Sequence, residues 1–146
     1  MSRLINELTH KVIGCAIAVH RVLGPGLLES AYQRCLELEF KYQGLKFEAQ
    51  KSLSLTYREE LIPEVYRLDF VVEQLVIVEV KSVQRWESVF EAQLLTYLKL
   101  TSLHLGLLIN FNVPILKDGI KRVVLEFDEE DRSFPLSTSA PSASRR

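Results

Sequence analysis

In the segment YRLDFVVEQLVIVEVKS, Tyr66 to Ser82, the charges Asp69, Glu79 and Lys81 interrupt what otherwise reads as two apolar strands. A buried strand has little use for charge, because an unpaired charge away from water either neutralises or destabilises the fold. If the turn is Glu73, Gln74 and Leu75, then Val72 faces Val76, Phe70 faces Val78 and Leu68 faces Val80. That register makes one face wholly apolar and sets Asp69 opposite Glu79 on the other, with Lys81 beside them. A two-residue turn would mix apolar rows with charged ones and send the two acids to opposite faces, so the first register is expected.

Two opposed carboxylates repel unless a proton or a cation sits between them. A hard divalent cation takes carboxylate oxygens, keeps several waters and completes its shell with substrate phosphate. Asp69 and Glu79 are therefore candidate metal ligands, with Mg²⁺ the expected cofactor and Mn²⁺ a substitute. Lys81 lies two residues past Glu79, hence about 7 Å further along the same face, where its ammonium can position or help deprotonate a water beside a phosphodiester. The plainer alternative is a solvated strand face carrying a ladder of weak surface charges.

The elements that must position these groups are legible from periodicity. From Leu4 to Leu23, Leu8, Val12, Cys15, Val19 and Val22 recur at steps of four and three, one face of a helix, which Gly24 to Gly26 ends. A second helix is expected from near Leu27 to about Tyr42, with Leu28, Tyr32, Cys35 and Leu36 on one side and Gly44 as its stop. The period then changes to two in FEAQ and LSLTY, with REELIP read as a polar turn before the central strand pair. WESVFEAQLLTYLKLTS returns to helical spacing through Phe90, Leu94, Tyr97 and Leu98, and HLGLLINF and KRVVLEF are further strand candidates. A helix between strands of one sheet implies a crossover. This periodicity permits an α/β class: a mixed central sheet with an antiparallel hairpin, flanked by helices.

Composition narrows the reading. At 146 residues the chain has the size of one domain, expected over 1–128, followed by a disordered Ser/Pro/Ala-rich tail over 129–146. No stretch approaches the roughly 18 apolar residues of a membrane span, and no secretory signal is evident, so a soluble, cytoplasmic protein with no membrane partner is expected. Cys15 and Cys35 lack metal-binding or disulfide spacing and read as reduced, buried thiols. A net charge of −1 supplies no global basic field for nucleic acid, so any such role needs a local patch. Arg67, Lys81, Arg85, Lys121 and Arg122 are its candidates. His10, His20 and His104 make no metal-ligand spacing.

GLLESAY, Gly26 to Tyr32, is a literal G-x-x-E-x-x-Y, and RLDFVVE, VIVEVKS, AQLLTYLKL and GLLINF follow it in that order. In these segments, from roughly Ile5 to Phe127, the chain resembles the GxxExxY protein family of the PD-(D/E)XK nuclease superfamily. The resemblance implies a restriction-endonuclease-like core, Asp69 and Glu79 as metal ligands and Lys81 as the catalytic lysine. It also makes Glu29 the acid supporting the metal or its waters, and Gln93 the glutamine bordering the site. Leu68 stands where the superfamily's name has proline, and Phe90 where many relatives have histidine.

Glu29 and Tyr32 are three apart and Gln93 and Tyr97 four apart, so each pair shares a helix face. Tyr32, Tyr97, Arg67 and Arg85 are candidate substrate-side groups. The alternatives are core aromatics with a hydrated hydroxyl for the tyrosines, a backbone hydrogen bond for Gln93, and a first-turn acid facing the positive end of its helix for Glu29. The expected activity is metal-dependent hydrolysis of phosphodiester bonds in nucleic acid, DNA rather than RNA. Its rival is a binding or protein-interaction module that keeps the nuclease fold without cleaving. A homo-oligomer, or action within a larger complex, is a third reading.

Overall fold

The structure is a computed structural model and describes residues 3–126; the tail expected over 129–146 lies outside them. Leu8, Val12, Cys15 and Val19 bury one stripe of helix α1 (Arg3–Leu23). Val22, expected on that stripe, is 81% exposed. A straight helix instead carries Leu23, four residues after Val19, onto the core side. Helix α2 (Glu29–Tyr42) buries Tyr32, Leu36 and Phe40. Leu28, expected on the same face, sits before the first helical turn and is exposed. Cys15 is buried and Cys35 half-buried, both outside any disulfide; burial, with Glu39 adding to it, pushes the Cys15 thiol up to about 11.

The sheet has the order β1 (Phe47–Tyr57), β2 (Glu60–Val72), β3 (Val76–Lys81), β4 (Leu105–Asn110) and β5 (Ile120–Val124). β3 and β4 are parallel, joined by the crossover helix α3 (Val89–Thr101), and the other neighbours are antiparallel. The architecture is thus the expected α/β one with a mixed sheet. Helices cover both faces: Val12, Leu36 and Phe40 pack with Phe70, Val78 and Ile109 on one side. On the other side Leu94 and Leu98 pack with Val71, Ile77 and Leu108. Strands covered on both faces read as continuous apolar runs, as VIVEV and LGLLI do. Among the described residues, no helix is long and apolar enough to cross a membrane.

Both hairpin turns follow from backbone handedness. Glu73 and Gln74 take positive φ, Leu75 closes the turn on the Val72 carbonyl, and the pairs Val72–Val76, Val71–Ile77 and Phe70–Val78 form as expected. REELIP, however, is not a turn. Only Arg58 and Glu59 reverse the chain, both at positive φ, the two-residue geometry that matches strand twist, and Glu60 to Pro63 already belong to β2. Pro63 cannot donate to a ladder; it sits where the register between β1 and β2 shifts, next to Glu64 at φ 54°.

Candidate active site

The expected register stops where the charges begin. Beyond Phe70–Val78 the two strands exchange side-chain bonds in place of the regular ladder. The Asp69 N–H donates to Glu79 Oε2 at 2.8 Å, and the Val80 N–H donates to Asp69 Oδ2 at 2.8 Å. Each carboxylate thus satisfies an amide of the opposite strand. Past this opening the alternation lapses, and Leu68, expected on the apolar face with Phe70 and Val80, packs with Val71 and Ile77 instead. Carboxylates are stronger acceptors than carbonyls, which is why they displace the ladder here.

Glu79 is buried at 7% exposure and Asp69 is half-buried. Burial, reinforced by the Asp69 charge and partly opposed by its hydrogen bond and by Lys81, pushes the Glu79 carboxyl up to about 8. Burial also raises Asp69, with Glu29 adding its charge while the Val80 amide and Lys81 pull the other way. Three carboxylates, Asp69, Glu79 and Glu29, therefore feel one another around a single lysine. Tyr97 of α3, whose ring packs edge to face on Tyr66, is pushed up to about 12 by burial and by the charges of Glu79 and Asp69.

The donor set suits a hard divalent cation. Mg²⁺ commonly takes one or two protein carboxylates and leaves the rest of its shell to water and phosphate, and Asp69 and Glu79 supply two that repel each other. Glu79 Oε1 accepts no hydrogen bond among the described residues, and both acids keep lone pairs for a cation. Those residues hold no cluster of three or more His, Cys, Asp or Glu arranged to enclose a metal by itself, so a closed structural site of the zinc type does not fit.

In the G-x-x-E-x-x-Y stretch, Tyr32 ties down the loop from which α2 starts at Glu29. Gly26 has φ +96°, a conformation glycine adopts without strain. The Tyr32 hydroxyl donates to the Gly24 carbonyl and accepts from the Leu27 N–H, while its ring stacks on Phe111 at 4.4 Å. Tyr32 was expected as a candidate substrate-side group; it is wholly buried and its hydroxyl is spent on the loop. Glu29 consequently opens α2 facing the end of β3, where its Oε2 accepts the Ser82 N–H at 3.4 Å.

Lys81 ends β3 with its Nζ 4.5 Å from the centre of the Phe90 ring, the residue that stands where histidine was expected. Gln93 is exposed on α3, one turn before Tyr97, and its side chain makes no hydrogen bond among the described residues. Arg67 and Arg85 are exposed, as are Lys121 and Arg122, but Lys121 is paired with Glu91 at 3.4 Å.

Three residues at the site escaped the sequence reading. Gln33 donates to Asp69 Oδ1 at 2.9 Å and accepts from Gln50; its four-residue spacing from Glu29 was the available signal. Ser82 ties its hydroxyl to the Leu27 carbonyl, and Asn110 clamps Val83 through both the amide and the carbonyl. These contacts span 55 and 27 residues, and no local pattern announces them.

A family model of the PD-(D/E)XK nuclease superfamily matches residues 6–123. No curated protein and no solved structure matches the chain. The matched stretch holds Glu29, Asp69, Glu79, Lys81 and Gln93, and the mixed sheet with helices on both faces is the architecture of the restriction-endonuclease-like core. With most of its length matched and the acid pair and lysine carried on the central hairpin, the chain belongs to the PD-(D/E)XK nuclease superfamily.

Proposed function

We propose that this protein is a divalent-metal-dependent nuclease of the GxxExxY branch, hydrolysing phosphodiester bonds in DNA in preference to RNA. The observation that carries the reading is the opened ladder, where two strands give up regular pairing to hold the Asp69 and Glu79 carboxylates side by side. Such an arrangement raises both carboxyls, a cost that a bound cation or a proton relieves. Two thiols outside any disulfide support a reducing, cytoplasmic setting.

Asp69 and Glu79 would hold Mg²⁺, with Mn²⁺ able to replace it. When bound, the ion supplies Lewis acidity to the phosphate and lowers the pKa of water. Asp69 is fixed from both sides, by Gln33 and by the Val80 amide, so its oxygens keep one orientation. Lys81 offers an ammonium to the phosphate oxygens as negative charge grows on them. Glu29, anchored by the Ser82 amide, adds the third negative charge, and Gln93, one turn before Tyr97 on α3, would be the glutamine that borders the site. In the net reaction the oxygen of water bonds to phosphorus, the bond to the leaving sugar oxygen breaks, and that oxygen takes a proton.

The test is calorimetric titration of Mg²⁺ and Mn²⁺ into the wild type and an Asp69→Asn/Glu79→Gln variant. Cleavage of labelled single- and double-stranded DNA and matched RNA is followed in the same samples. Binding and cleavage that vanish together in the variant support the nuclease. Metal binding without cleavage favours the non-cleaving module, and no metal binding even with DNA present returns Glu79 and Lys81 to an ordinary strand face.

A further inference from the structure

Lys81 has no carboxylate ion pair among the described residues at salt-bridge distance; what meets its ammonium is an aromatic face, the Phe90 ring at 4.5 Å. A ring attracts a cation through its quadrupole within about 6 Å of the centroid, and it does so without supplying a competing anion. Phe90 itself does not float. Trp86 packs against it edge to face, with centroids 5.0 Å apart and planes at 78°. The Trp86 indole N–H in turn donates to Glu91 Oε1 at 3.3 Å, and the same oxygen pairs with Lys121 of β5 at 3.4 Å. The chain of contacts runs from the sheet edge through two aromatic rings to the one lysine of the site.

We propose that Phe90, squared by Trp86, is a positioning residue that holds the Lys81 ammonium at the end of β3, available to phosphate. This rests on the nuclease reading above. A carboxylate at ion-pair distance would bind the ammonium directly; a ring holds the flexible side chain without putting an anion in contact with it. The surrounding acids fit this division of labour, since Glu91 is occupied by Trp86 and Lys121, while Asp69 and Glu79 are tied to backbone amides.

Two readouts on the full chain separate the proposal from the activity on which it builds. Proton–carbon spectra of lysine-labelled, metal-free protein report the Lys81 ε-methylene, which the Phe90 ring current moves upfield; Lys81→Arg identifies the signal. Phe90→Leu keeps an apolar side chain and removes the ring, and Phe90→Trp keeps a ring. The expected result is an upfield signal lost in the leucine variant and retained in the tryptophan one. On DNA with Mg²⁺, kcat of Phe90→Leu should fall about 3- to 30-fold, the range of a partly desolvated cation–ring contact, with KM changed less and Phe90→Trp recovering most of the rate. An ordinary Lys81 signal in the wild type, or a folded Phe90→Leu that cleaves as the wild type does, overturns the proposal. An upfield signal in a wild type that cleaves neither DNA nor RNA sinks the nuclease reading while upholding the ring's hold on the lysine.

Discussion

At Asp69 and Glu79, stability and chemistry pull in opposite directions. Glu79 is raised from an ordinary carboxyl value to about 8 by burial and by the Asp69 charge. In the metal-free protein the folded state therefore holds a proton that the unfolded chain has released, so stability falls as pH rises from about 5 through about 8. Melting curves in chelator from pH 5 to pH 9 should show this decline in the wild type. Glu79→Gln, which mimics the protonated acid, should flatten it and leave the variant the more stable of the two at pH 9; parallel curves would remove the argument. Saturating Mg²⁺ should raise the wild-type midpoint most at the alkaline end, where the repulsion it relieves is greatest.

Elements matter here mainly through their ends. The loop into α2 is held by one hydroxyl, since Tyr32 bonds both the Gly24 carbonyl and the Leu27 amide. Tyr32→Phe should cost about 1–3 kcal/mol for the two partners it leaves without a bond, measured by urea unfolding. It should also reduce cleavage, because Glu29 is placed by that loop. At the opposite strand end, Asn110 lies beside Lys81 in the parallel register and clamps Val83. A side chain at Gly119 would run into the Asn110 carbonyl, a backbone atom that cannot step aside. Gly119→Ala should therefore destabilise the fold by about 1–3 kcal/mol and loosen the segment after Lys81, read as a lower melting temperature together with a lower kcat. Unchanged melting would show that the 3-10 turn Leu116–Gly119 can shift as a body.

For the whole molecule, charge sets how it can meet a polyanion. The net charge is −1, and Lys121 is already paired with Glu91. Arg67, Lys81 and Arg85 are the basic groups proposed to meet phosphate. With that few contacts, the slope of log K against log salt for duplex DNA should be no steeper than about −3. Filter binding to an uncleaved duplex in Ca²⁺ would measure it. A much steeper slope would mean that a basic surface elsewhere carries the binding.

The sequence alone determined the succession of helices and strands, the three-residue turn of the central hairpin and the pairing of its apolar residues next to that turn. These follow from periodicity and turn chemistry, which act between residues close in the chain. It also set Asp69 and Glu79 just past the last of those pairs, Phe70–Val78, although the ladder ends there and the two carboxylates take the opposite amides in its place. Tertiary structure decided the rest. Whether the Val80 amide donates to a ladder carbonyl or to the Asp69 carboxylate, whether Tyr32 faces substrate or the Gly24 loop, and whether Lys81 meets an acid or the Phe90 ring are competitions among alternative partners. Their outcome depends on which partner packing brings within reach, and local periodicity carries no record of that.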